Sequence, residues 1–190
     1  MSSTDKLSEW FRDYELARSA TADRLGIGNR PPRWARDNAV ELALHVLDPV
    51  REHFGIVFSP QSWYRGEELE KALTWEKGFR HWCAKHTKPW LSRANLHRTP
   101  LEHHGVDRSW SEYFEKKSHP KGQAADIEIP GVDNDQLFWW IKDNLTYDQL
   151  IREYPVPSDG MSGWVHVSWA GVQCNRNLYF SIPYYDKYAR

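Results

Sequence analysis

The pattern of this 190-residue sequence is compatible with an α+β fold, and two observations point there. A long apolar stripe at helical spacing (Val40, Leu44, Leu47, Val50, Phe54) runs through the first third of the chain. Short apolar or alternating runs bounded by Pro and Gly fill the second half, among them Trp164-Val165-His166-Val167-Ser168 and Leu178-Tyr179-Phe180-Ser181-Ile182. The length makes one domain the default and supplies enough chain to bury a core.

Taken in order, Leu7, Trp10, Phe11 and Tyr14 fall at helical spacing and predict a short amphipathic helix. Asn29-Arg30-Pro31-Pro32 is a loop that ends any helix before it. The main scaffold helix is expected over about 36–54, with Gly55 placed as its stop. Ile56-Val57-Phe58 reads as a short strand running into Ser62-Trp63-Tyr64-Arg65-Gly66, and Glu67 to Ala72 as one or two helical turns. The stretch from about Thr74 to Lys117 is rich in aromatic and His residues, with Trp75, Phe79, Trp82, Trp90, Trp110 and Phe114 beside His81, His86, His97, His103 and His104. No second Cys/His pair there has finger-like spacing, so no second metal site is expected. After Asp126 a strand continues to Pro130 and breaks at Gly131. Asp133 or Asn134 can cap a helix carrying Leu137, Phe138, Trp140 and Ile141. Leu145 to Glu153 leads into a strand, and the loop from Pro155 to Gly163 returns the chain as the strand of His166. A last strand at 178–182 precedes a tyrosine-rich tail.

Composition narrows the function. A formal net charge of -1 argues against a nucleic-acid binder, which usually carries a basic excess. Eleven Trp and nine Tyr serve either an aromatic core or a groove for glycan or peptide. Cys83 and Cys174 are too few for a disulfide framework. Met1 to Lys6 lack an apolar run, so no secretory signal is expected, and no stretch reads as a membrane span.

Chemistry concentrates in Ser118-His119-Pro120-Lys121-Gly122-Gln123-Ala124-Ala125-Asp126. Imidazole and carboxylate both ligate zinc at about 2.0–2.2 Å, and a catalytic zinc needs three protein ligands and an open position. His119 before a turn at Gly122 and Asp126 on the strand leaving it can converge on one ion, and the two alanines leave room beside it. His166, mid-strand in WVHVS, offers the third ligand.

These two strings resemble the signature of the zinc D-Ala-D-Ala carboxypeptidase family, which cuts cell-wall peptides and includes many phage lysins. The segment Ser19 to Gly26 is similar to the N-terminal part of phage-type members. The resemblance implies a small antiparallel sheet with helices on one side, the hedgehog/DD-peptidase architecture, over a single domain of 1–190. It carries one Zn2+ onto His119, Asp126 and His166. It also places Arg65 at the active site, where its planar fork suits a substrate carboxylate or carbonyl and its loss is expected to leave the metal in place. The function implied is a zinc-dependent hydrolase of peptidoglycan stem peptides, acting as a carboxypeptidase or an endolysin-type endopeptidase. A phage structural or wall-binding relative that keeps zinc without catalysis is the alternative. A wall enzyme without a signal would reach its substrate after lysis or in a phage particle. Nothing in the sequence sets the oligomeric state.

Two departures stand out. The link over 74–117 is much longer than in the family and is expected to fold over the rim of the cleft. Several branches place the general base three residues before the last His, where this chain has Gly163. Glu153, at the end of the strand that should pair with the His166 strand, and Asp159, in the intervening loop, are the candidates to replace it, and a chain with no working base is the third possibility.

Overall fold

A computed structural model describes residues 6–96 and 105–183. Helices α1 (Asp13–Ala17), α2 (Ala20–Leu25), α3 (Arg33–Leu42), α4 (Asp48–Phe54), α5 (Glu67–Thr74), α6 (Arg80–Lys85), α7 (Arg93–Leu96) and α8 (Val106–Phe114) precede the first strand, β1 (Ala124–Ile127). Helix α9 (Asn134–Asn144) follows, then β2 (Gln149–Glu153), β3 (Trp164–Ser168) and β4 (Leu178–Ile182). The architecture is α+β, a small four-stranded sheet with flanking helices.

The sheet order is β1-β3-β2-β4. Strands β1 and β2 pair with β3 in antiparallel fashion, but β4 runs parallel to β2. The expected antiparallel sheet is therefore corrected to a mixed one. Both edges of β3 are already taken, so the chain leaving it must cross β2 and add at the outer edge, where it arrives parallel.

The scaffold helix spans α3 and α4 without a break, joined by a wider π turn over Ala43–Leu47. Pro49 explains the turn. It has no N–H to donate to a carbonyl four residues back, and the Asp48 N–H bonds instead to the Ala43 carbonyl, five residues back. The extra residue shifts the phase of the apolar stripe. Val46, Leu47 and Val50 are buried, whereas Leu44, expected inside, is 49% exposed. Gly55 ends the helix in the left-handed region at φ 63°, as the sequence predicts.

Two local expectations fail. Residues 7–12 form no helix; a bridge between Lys6 and Arg12 buries Leu7 and Phe11, and the helix starts only at Asp13. Here the Glu15 carboxylate accepts the Arg12 backbone N–H at 2.8 Å and sets the start. Residues 56–58 form no strand; the pairing comes later, where Ser62 bridges Asp126 of β1. The Asp126 N–H donates to the Ser62 carbonyl at 2.8 Å, and the Gln61 N–H donates to the Asp126 carbonyl at 2.9 Å. At α9 the cap is Asp133, whose carboxylate accepts the Asp135 and Gln136 N–H groups at 2.7 and 3.3 Å.

Alternation makes the sheet two-faced. Ala125, Ile127, Leu150, Val165 and Val167 join the main core with Ala39, Leu42 and Val46 of the scaffold helix and Leu137 and Ile141 of α9. Each fully buried aliphatic side chain of Val or Leu size is worth about 1.5–3 kcal/mol. The opposite face carries Asp126, Ile151, Glu153, Trp164 and His166, which line a cleft. The aromatic segment after α5 builds a second cluster of its own, with Trp75, Phe79, Cys83, Val106, Trp110 and Tyr113 buried together. His97, His103 and His104, and the tyrosine-rich tail past 183, lie outside the described residues. Among the described residues no helix is long and apolar enough to cross a membrane.

Candidate metal centre

Three elements bring three side chains that could ligate a metal to one point. His119 opens a single 3-10 turn (His119–Lys121) that Gly122 closes at φ 71°, and β1 leaves with Asp126 on its cleft face. Gly122 is obligatory there. A Cβ would meet the Ala35 carbonyl oxygen of α3 at 2.0 Å, in a conformation that side chains already disfavour. The turn is thus pressed against the scaffold helix, and the Asn38 side chain reinforces it by donating to the Lys121 carbonyl at 2.9 Å. Asp126 and His166 are register partners across β1 and β3, and Ile151 of β2 lies opposite His166.

One carboxylate oxygen lies at the centre. Asp126 Oδ1 is 2.8 Å from His166 Nδ1 and 3.3 Å from His119 Nε2. The donor atoms of all three residues lie within 4.8 Å of one another, and all three residues are buried. Ligands of a tetrahedral zinc at 2.0–2.1 Å stand about 3.3 Å apart, so the spacing suits one ion. The group can hold a metal.

The surroundings prepare the ligands. The Trp63 carbonyl can only accept, so His119 Nδ1, 2.7 Å away, carries the proton and Nε2 keeps its lone pair toward Asp126. Burial pushes the His119 imidazole down to about 4, so it is neutral and available to a metal at ordinary pH. Burial alone would raise the Asp126 carboxyl, but the hydrogen bond with His166 and the Arg65 guanidinium help to hold it well below the usual range.

Arg65 does more than the sequence indicates. One guanidinium nitrogen bonds Asp126 Oδ2, Nε donates to Ser62 Oγ at 2.6 Å, and Nη1 lies 3.9 Å from Glu70 Oε2. It lines the cleft, yet its fork is already engaged by a ligand-bearing carboxylate. The expectation that its loss leaves the metal untouched does not fit these contacts.

The two candidate bases are separated by the structure. Glu153 lines the same cleft, of ≈ 630 Å³, as His119, Asp126 and His166. Burial, and then the Asp126 charge, raise its carboxyl above the ordinary range, partly offset by His166, Arg65 and Lys117. Asp159 is not among the cleft residues. Its carboxylate accepts the Met161 N–H at 3.1 Å and its carbonyl accepts the Ser162 hydroxyl at 2.6 Å, the work of a turn residue.

Glu70 was missed by the sequence reading. It is 1% exposed, its Oε2 has no hydrogen-bond partner, and burial followed by the neighbouring Asp126 raises its carboxyl against Arg65 and Lys117. In sequence it sits in Glu67-Glu68-Leu69-Glu70, which reads as a solvated charge run. Tyr113, whose buried hydroxyl also lacks a partner, faces Gly78 so closely that a Cβ there would come within 2.8 Å of it. The one legible signal was Gly78 itself, a glycine inside an otherwise helical pattern.

No family model, curated protein or solved structure matches the chain.

Proposed function

We propose that the chain is a zinc-dependent peptidase that cuts peptidoglycan stem peptides, as a carboxypeptidase or an endopeptidase. The observation that carries this reading is the convergence of His119, Asp126 and His166 in a cleft that Glu153 also lines. The peptidoglycan assignment is supported by the SHPKGQAAD and WVHVS strings and their likeness to the cell-wall peptidase signature.

When bound, zinc supplies Lewis acidity, acidifying a water and polarising a carbonyl. The chain's own residues do the rest. His119 presents a neutral nitrogen, its ring fixed by the Trp63 carbonyl, and His166 adds its imidazole from β3. Arg65 holds Asp126 Oδ2 so that Oδ1 faces both imidazoles. Glu153 takes a proton from the attacking water and returns it to the leaving amine; its burial makes it a stronger base than an exposed Glu. Ile151 and Trp164 line the cleft on the same sheet face as Glu153.

The test is hydrolysis of purified cell wall, with and without a chelator, by the wild-type chain and by Glu153→Gln. Release of new amino groups that the chelator abolishes, zinc restores and the variant lacks is the expected result. A wild-type chain that holds stoichiometric zinc yet releases nothing would favour a non-catalytic, zinc-stabilised wall binder.

A further inference from the structure

The two edges of the sheet are finished differently. At β1 the chain before α5 closes the edge through the Ser62 carbonyl and the Gln61 N–H, both bonded to Asp126. At the other edge β4 pairs with β2 on one side only. The Leu178 N–H donates to the Asp148 carbonyl at 3.1 Å, and the Ile182 carbonyl accepts the Tyr154 N–H at 2.7 Å. Backbone groups alternate in direction along a strand, so those of Tyr179 and Ser181 point away from β2. Among the described residues no backbone group pairs with them.

Open edges are usually protected by a charge, a proline, a bulge or a covering element. The run Leu178-Tyr179-Phe180-Ser181-Ile182 holds no charge and no proline, and its register with β2 is unbroken. Leu178, Tyr179 and Phe180 are 45, 51 and 43% exposed. Single exposed apolar residues are ordinary, but three in succession on an open edge are not. The strand is also symmetric about Phe180. Asn177, at φ 51°, breaks the extended backbone three residues before it, and Pro183, which has no N–H, stops a ladder three residues after it. Two copies laid antiparallel with Phe180 opposite Phe180 therefore match throughout. Tyr179 meets the partner's Ser181 in a hydrogen-bonded pair, Leu178 meets the partner's Ile182, and the ladder ends where Asn177 meets the partner's Pro183. The cations beside the strand, Lys142 and Arg176, are already paired with Asp143 and Asp148.

We infer that β4 is the interface of a two-fold symmetric dimer of this chain, in which the two sheets join edge to edge. The pairing is self-complementary, and the closed β1 edge offers no further strand to extend, so association stops at two copies. One strand from each chain makes a small interface, at the weak end of specific association. The dimer also arranges the clefts. Leu178, Phe180 and Ile182 share the sheet face of Gln149, Ile151 and Glu153, their register partners, and Ile182 lines the cleft. A two-fold axis through the sheet at Phe180 turns both clefts to the same side. His166, Ile151 and Phe180 are register partners in succession, so His166 and its counterpart face each other across five strand spacings, about 24 Å. This pairing is independent of what the cleft cuts.

Sedimentation equilibrium of the full chain from about 5 to about 500 µM tests the association, since a weak interface dissociates within that range. The mass is expected to rise from one chain to two and no further. Phe180→Lys sets two ammonium groups opposite each other at the axis and should keep the chain monomeric throughout, with the wild-type melting temperature. Cross-linking reads the register. In a Cys174→Ser chain, Phe180→Cys should form a disulfide-linked dimer under mild oxidation, because directly opposed residues without mutual hydrogen bonds stand about 4.5 Å apart at Cα. Tyr179→Cys, which lies opposite Ser181 rather than itself, should not. A wild-type monomer at every concentration, a dimer that survives Phe180→Lys, or equal cross-linking of the two cysteine variants overturns the interface. Growth beyond two chains overturns the closed pairing, and a dimer that forms only after removal of 184–190 overturns it in favour of an edge taken by the chain's own tail.

Discussion

Gly163 and Glu153 occupy the same corner: a Cβ on Gly163 would lie 1.9 Å from the Glu153 carbonyl oxygen and 2.8 Å from that of Tyr154. Gly163 also holds φ 62°, in the left-handed region. The position three residues before His166 therefore has no room for a side chain, and the carboxylate in the cleft comes from the strand alongside. Gly163→Glu is expected to destabilise the chain by at least about 2 kcal/mol, the cost of a strained backbone before any clash is added. It should not rescue Glu153→Gln. Urea unfolding of the single variant and wall hydrolysis by the double variant check both statements.

Glu153→Gln should keep fold and zinc but lower hydrolysis by about 10²–10⁴, the usual worth of a general base. Asp159→Asn is the companion variant. It removes a charge from a turn outside the cleft but keeps a side-chain oxygen that can accept the Met161 N–H, and should alter activity and stability little. Equal rate losses in the two would sink the assignment.

Metal content separates the ligands from their support. His166→Ala is expected to lose stoichiometric zinc outright. Arg65→Ala removes the partner of Asp126 Oδ2 and should weaken zinc affinity by about 10–100-fold, as losses beyond the ligand shell do. Competition with a chromophoric chelator measures both, and an Arg65→Ala chain of unchanged affinity would return Arg65 to substrate positioning alone.

The two thiols should differ in reactivity. Burial pushes the Cys83 thiol up to about 11, within the Trp75, Phe79 and Trp110 cluster, whereas Cys174 is exposed. A disulfide reagent at neutral pH should titrate one thiol quickly in the native chain and the second only after denaturant is added. Two fast thiols would mean that the aromatic cluster opens readily.

Acid stability should depend on Asp148. The Arg176 side chain, bonding both carboxylate oxygens at 2.6 Å, lowers the Asp148 carboxyl below its ordinary value against the cost of burial. A group whose folded value is depressed stabilises above its unfolded value, and that contribution fades as pH falls through the folded one. Wild type should thus lose stability relative to Asp148→Asn only below about pH 4. Thermal melts of the two across the acid range test the sign.

The sequence made some of this legible, for identifiable reasons. The scaffold helix, the Gly55 stop and the α9 cap depend on local periodicity and capping, which neighbours seldom override. The grouping of His119, Asp126 and His166 depended on a motif in which turn, small residues and strand parity all pointed the same way. Local signals gave out where tertiary contacts decide. Leu44 turned outward because Pro49 widened the helix behind it. The direction of β4 follows from which sheet edges remain open, a fact that no window of residues contains. Glu70 and Lys117 look like ordinary solvated charges until the cleft is assembled around them.

The pairing of Asp126 with His166 across β1 and β3 also bears on folding fidelity. Side chains on a strand alternate, so a slip of one residue between these strands would turn Asp126 into the oily interior and bring Ala125 or Ile127 out to the cleft. Such a misaligned chain would forfeit core and donor set together, leaving no intermediate state in which one survives without the other. An ion that binds only the correct alignment would then draw the population toward it by mass action, acting as a proofreader of the strand pairing that created its site.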